Sequence, residues 1–216
     1  MKKSIKRLTA IVLVSTIISA MCSVSVFAYN GEKAASYANS YATSPNKYYR
    51  YFENGDCTNF VSQCLKNGGL SMSNTSNKSL GINNESNAWY HQKYHVKQYL
   101  FGWCFNEYDD WKISTTWIRV SHESNGGAGL YQYLINRSFV DDYGSSNVKN
   151  IIKQAKVGDI IQCSSGASKP STHSVIVTAK SSNNLTIAYH TNNKKNVSFK
   201  SFAKNYKYFH LLKIAH

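Results

Sequence analysis

Proline is nearly absent from this chain: Pro45 and Pro170 are the only two among 216 residues. A proline-rich linker or stalk is thereby excluded. Acidic side chains are also scarce, 11 Asp and Glu against 25 Lys and Arg. Of five cysteines, no two are spaced C-x-x-C, so a zinc ribbon is not indicated. The serine nucleophile elbow G-x-S-x-G is missing. No glycine-rich phosphate loop occurs either; Gly126, Gly127 and Gly129 do not fit one. After residue 28 no stretch is long and apolar enough to span a membrane. No internal repeat is visible.

The N-terminus has the form of a processing signal. Lys2, Lys3, Lys6 and Arg7 make a basic head, and Leu8 to Phe27 carry no charge. Small residues then close the run at Ala28. This predicts a secretory signal peptide over 1–28, cleaved after Ala28, and an extracellular or cell-wall-associated protein. Residues 29–216 suit a single domain with a proper core. Loss of the four basic residues takes the formal charge from +14 to +10. Such a surface favours anionic partners, with wall polymers foremost. No run of five basic residues marks a nucleic-acid patch. We expect a monomer with no stable membrane insertion once the signal is removed. Cys57, Cys64, Cys104 and Cys163 remain, an even number that in a secreted chain invites two disulfides.

Alanines and tyrosines at helical spacing predict a helix over 31–42, stopped near Pro45. A second helix is predicted over 57–67, with Phe60, Val61, Cys64 and Leu65 on one stripe and Gly68-Gly69 ending it. Residues 71–88 read as a long polar loop. Trp89 to Trp117 holds all four tryptophans, as core and wall packing or as a glycan-stacking surface. Residues 128–137 read as a third helix. The last third changes to short runs rich in β-branched and aromatic residues, "GDIIQCSS", "HSVIVTAKS", "NLTIAYHT" and "YFHLLKI". Helices first and strands second predict an α+β domain, with the N-terminal helices packed on a C-terminal antiparallel sheet. A cleft between the halves would join their chemistry.

The stretch "GDCTNFVSQCL" carries the nucleophile candidate. Asp56 is placed to cap the second helix, and Cys57 falls in its first turn. Free N–H groups and the helix dipole there favour a thiolate, reactive to alkylation well below pH 8. Cys64 lies two turns further on nearly the same face, ~10 Å along the axis. That is too far for a disulfide with Cys57, and Cys64 reads as core. His173 opens one predicted strand and His190 closes the next. If the strands pair through the polar turn at Ser181–Asn184, the two histidines could be neighbours, base and orienter. Asn192 is the alternative third member. His91 and His95 at i and i+4 would suit zinc on a helix, but Gln92 stands where the metalloprotease pattern needs Glu. No metal and no cofactor is expected.

In this order, "GDCTNFVSQCL", "NGGL", "TTWIRV", "KVGDIIQ", "HSVIVT" and "AYHTNN" resemble the putative amidase domain family of secreted bacterial proteins. That family is regarded as a papain-like relative of the NlpC-type and CHAP cysteine peptidases. The resemblance runs from about Asn30 to Ile214. It implies a papain-like fold over 29–216, Cys57 as nucleophile, His173 as general base and His190 as third member. It also implies acyl transfer at an amide, with peptidoglycan as the substrate class. The tyrosines of "NKYYRYF" would line the cleft, and Asp159 in its "GD" turn reads as structural. "SHESNGGAG" departs from the family's more apolar helix. The rivals are a non-catalytic wall- or glycan-binding module and a transglutaminase- or deamidase-type acyl transferase.

Overall fold

The computed structural model describes residues 29–120 and 128–215. The expected signal peptide and most of "SHESNGGAG" lie outside the described residues. Helix α1 (Gly31–Tyr41) starts where the Asn30 side chain accepts from the Lys33 N–H, capping a free amide of the first turn. Helix α2 spans Cys57–Asn67, as the apolar stripe predicts. A three-stranded sheet follows, from β1 (Gly81–Asn83), β2 (His91–Leu100) and β3 (Trp103–Ser114), with β3 in the centre. Short helices α3 (Thr115–Ile118) and α4 (Leu130–Asn136) lead on to β4 (Val140–Ser145) and α5 (Val148–Gln154). The chain then runs through β5 (Ile160–Ser164), β6 (Ser171–Lys180), β7 (Leu185–Tyr189) and β8 (Lys194–Ser198). Helix α6 (Phe199–Phe202), a 3-10 turn over Ala203–Asn205 and β9 (Tyr208–Ile214) complete it. Strands β4 to β9 form one antiparallel sheet in the order β4-β9-β5-β6-β7-β8.

The architecture is α+β, with one addition to the sequence reading. Both faces of the six-stranded sheet are covered. Ile160, Ile176, Ala188 and Leu212 pack with Phe60, Val61, Cys64 and Leu65 of α2 and with Ala34 and Ala38 of α1. Ile161, Cys163, Val175, Val177 and Ile187 pack on the opposite side with Ile151, Phe199 and Phe202. A strand buried on both faces has no polar side to alternate with. That is why "HSVIVT" reads as a continuous apolar run. Residue parity along each strand therefore decides which core a side chain enters.

The turn before β5 brings the two halves into contact. Gly158 has φ +89, and a Cβ there would lie 2.2 Å from the Gly31 Cα, so only glycine at 158 permits this approach. Asp159 follows, fully buried. Its carboxylate accepts from the Lys156 and Ile214 N–H groups at 2.7 and 3.1 Å. This is the structural role its turn suggests.

The tryptophans divide. Trp89 and Trp117 are buried and stack with their ring centroids 4.4 Å apart. Trp103 instead stands in solvent at the end of the β2–β3 hairpin. All four cysteines of the described residues are free thiols, so the two expected disulfides do not form. Cys57, Cys64 and Cys163 are buried within the domain while Cys104 is exposed on the hairpin.

Candidate active site

Asp56 precedes α2 but does not cap it. Its backbone lies at φ −97, ψ 3, and its side chain makes no capping bond. The carboxylate is fully buried and committed elsewhere. Oδ1 accepts from the Phe52 N–H at 3.0 Å and from Asn59 Nδ2 at 2.7 Å. Oδ2 accepts from His190 Nδ1 at 2.5 Å. A buried carboxylate requires such donors, and three of them outcompete the cap. Asn59 extends the network, donating to the Arg50 carbonyl and accepting from Trp117 Nε1.

His190 belongs to this network and not to a triad with His173. Its Nε2 faces the Tyr41 carbonyl at 2.9 Å, and its ring stacks on Phe60 at 4.0 Å. Both ring nitrogens thus face oxygens. The separation from His173 follows from register. β6 and β7 do pair across the Ser181–Asn184 turn, with Ile176 opposite Ala188. Just past the end of β7, His190 lies on the α2 side, its ring against Phe60. His173 turns to the opposite face. Among the described residues no hydrogen bond joins His173 to His190, Asn192 or Cys57. Asn192 is exposed in the turn between β7 and β8. The expectation that His190 or Asn192 orients His173 is thus corrected by the parity of the strands.

Cys57 sits where the sequence places it, at the first position of α2, with 6 % of its surface exposed. Its sulfur lies 3.8 Å from Thr58 Oγ1, with the Ser174 backbone nearby. Thr58 Oγ1 in turn meets Ser174 Oγ at 3.3 Å. The start of α2 is therefore docked on β6 at the residue next to His173, and the two halves of the chain meet there. Burial pushes the Cys57 thiol up from its ordinary value, against the lowering effect of the bonds from Ser174 and Thr58. The neighbouring Asp56 charge adds to the rise. The expected pre-formed thiolate is overturned: desolvation outweighs the helix start. Cys64 is fully buried and likewise raised by burial, as a core residue should be.

His173 occupies an aromatic recess. Its ring meets Tyr189 edge-on at 5.2 Å, Phe202 at 5.7 Å and Tyr206 in parallel at 6.4 Å. Burial lowers its value from 6.5 to about 4, so the imidazole is neutral at neutral pH. Tyr206 connects the two candidates. It lies parallel to the His173 ring, and burial followed by the nearby Cys163 and Cys57 thiols pushes its phenol up to about 12. Cys163 is the rung of β5 opposite His173. Sequence reasoning missed Tyr206, Tyr189 and Ser174. Only the last carried a signal, as the residue after the candidate base.

His91 and His95 lie on β2, not on a helix. Four residues of strand span ~13 Å, so they cannot share one ion. His91 accepts from the Arg50 N–H through Nε2 at 3.2 Å, while His95 meets Asp109 and Glu107.

The fold and the site can now be set against known proteins. The family model described as "Putative amidase domain" matches residues 28–212. The chain belongs to this family. The match spans both cores except Ile214 and includes Cys57, His173 and His190. Its description supports a general hydrolase of amide bonds. A segment of 44 residues is 54 % identical to the uncharacterized protein YjcM of Bacillus subtilis (strain 168). That segment covers 20 % of this chain and 11 % of the relative. The chain thus spans about a tenth of the length of that curated relative. No solved structure matches the chain.

Proposed function

We propose that the protein is a secreted, cysteine-dependent hydrolase of amide bonds, acting on the stem peptides of peptidoglycan through a Cys57–His173 dyad on a papain-like fold. The observation that carries this reading is the docking of the start of α2 on β6, where Thr58 Oγ1 meets Ser174 Oγ at 3.3 Å, one residue along α2 and β6 from Cys57 and His173. Both groups start neutral. As the sulfur attacks the substrate carbonyl, its proton passes to the His173 imidazole. The tetrahedral oxyanion is met by the Cys57 backbone N–H, free at the start of α2. The imidazolium then gives its proton to the departing amine, and the C–N bond breaks. Water, deprotonated by the same imidazole, hydrolyses the thioester and restores the thiol. Tyr189, Phe202 and Tyr206 hold the ring in place of a polar third member. His190 and Asp56 are positioning residues that fix the start of α2.

Secretion rests on the basic head and apolar run of residues 1–28, and the wall substrate on family resemblance and net basic charge. Mass spectrometry of purified peptidoglycan incubated with the protein tests the substrate. New stem-peptide amines are expected, absent with Cys57→Ala. Deamidated or cross-linked glutamines in protein substrates, with intact wall, would instead identify the acyl-transferase chemistry. Wall binding without any cleavage would identify a binding module.

A further inference from the structure

The β2–β3 hairpin ends in an apolar tip that nothing among the described residues covers. Phe101 at its apex is 93 % exposed, Trp103 80 % and Tyr99 61 %; Leu100 and Phe105 are exposed as well. The turn is a two-residue one, Phe101 and Gly102, both at positive φ, so Leu100 pairs directly with Trp103. No charged side chain occurs from Gln98 to Asn106. Behind the tip the ribbon changes character at once. Lys97 pairs with Glu107, and Lys93 with Asp109, at 3.5 and 2.6 Å.

The shape of the tip selects its partner. Leu100 and its partner Trp103 project from one face of the ribbon, and Tyr99 from the other. A glycan platform or a protein pocket would contact one face. Here both faces and the apex are apolar, which suits a medium that surrounds the tip. The uncharged part extends about 7–10 Å from Tyr99 to the apex at ~3.3 Å per residue. This equals the ~5–10 Å to which interfacial segments enter a bilayer. Trp and Tyr are the side chains that favour that depth. Large apolar groups left in water at one point mark an interaction site. From residue 29 onward 21 Lys and Arg stand against 11 Asp and Glu, a charge balance complementary to an anionic leaflet.

We propose that the β2–β3 tip docks the protein on anionic lipid surfaces by shallow insertion of Leu100, Phe101 and Trp103. No helix among the described residues is long and apolar enough to cross a membrane. The contact is therefore peripheral and reversible, and holds the domain at the membrane face.

The test uses the chain from Tyr29 to His216, since both cores are built from residues 29–214. It is sedimented with vesicles of phosphatidylcholine and phosphatidylglycerol at 3:1, and with phosphatidylcholine alone. The protein is expected to pellet with both, more strongly with the anionic mixture, and the Trp103 emission is expected to shift to the blue. Phe101→Ser and, separately, Leu100→Ser should each lower vesicle partitioning tenfold or more with unchanged melting temperature, because neither side chain is packed. Absence of pelleting overturns the proposal. So does equal pelleting of wild type and both variants, which would mean surface charge alone. A dimer in solution that both variants dissolve, without vesicle binding, would assign the tip to a second copy. Tip-dependent retention on purified glycan strands alone would assign it to wall sugar.

Discussion

His190 Nδ1 donates to Asp56 Oδ2 across 2.5 Å, joining the end of β7 to the residue before Cys57. Both side chains are 1 % exposed. The pair locks the turn from Phe52 to Asp56, and with it the position of Cys57. Leaving one partner of a buried hydrogen bond unsatisfied costs about 1–3 kcal/mol. His190→Ala should therefore lower folding stability by that order, measured by denaturant titration. The folded fraction should keep activity within about tenfold, since His190 does not touch the reacting atoms. A loss of about 10⁴-fold in kcat with unchanged stability would restore His190 to a catalytic triad.

Reactivity of Cys57 follows from its burial. The thiol is raised and the His173 imidazole is neutral above about pH 4. Alkylation of Cys57 by iodoacetamide should be slow at pH 6 and rise through pH 9, followed by peptide mass spectrometry. A rapid reaction at pH 5–6 would indicate a pre-formed thiolate–imidazolium pair. The acid limb of kcat should lie near pH 4–5, below the ordinary histidine range.

Tyr206 covers one face of His173. Tyr206→Ala opens one side of the recess to water and weakens the burial that lowers the value. The acid limb of kcat should then move up toward the ordinary histidine value near ~6.5. Tyr206→Phe keeps the ring and should leave the limb in place. Equal limbs in all three proteins would show that the recess does not tune the base.

His91 provides a stability prediction. Burial holds it at about 3 when folded, against 6.5 for an ordinary histidine. Between these values the unfolded chain binds the proton and the folded form resists it, so stability rises with pH. His91 opposes folding least above about pH 6.5, and stability is lost as pH falls toward 3. The loss is of order 2–4 kcal/mol. His91→Gln can still accept from the Arg50 N–H and should flatten the fall in melting temperature between pH 6.5 and 4. An unchanged slope would contradict this.

Much of the fold was legible because local rules and tertiary packing agree. The stripe Phe60, Val61, Cys64 and Leu65, with Gly68 behind it, marks α2 to the residue. The apolar runs of the last third mark β5, β6, β7 and β9. The hairpin β2–β3 was not read as strands. Its polar and aromatic residues have neither clean alternation nor burial, and cross-strand pairs hold it instead. The placement of Cys57 at the start of a helix and of His173 on a strand was legible. What failed was parity. Strand pairing can be inferred from a turn, but the rung on which two residues meet depends on one residue of register. Burial, which reversed the expected ionisation of Cys57, is likewise set by what packs over the helix start.

The central claim is that Cys57 and His173 together perform the chemistry. The most direct measurement is the initial rate of amine release from purified peptidoglycan by the wild type, Cys57→Ala, His173→Ala and Cys64→Ala, each shown to be folded by circular dichroism. Cys57→Ala and His173→Ala should each lose activity by a factor of 10³ or more, while Cys64→Ala keeps most of its activity per folded molecule. Full activity in either of the first two variants would contradict the dyad, and total loss in a folded Cys64→Ala would mean that the other cysteine of "GDCTNFVSQCL" is the nucleophile.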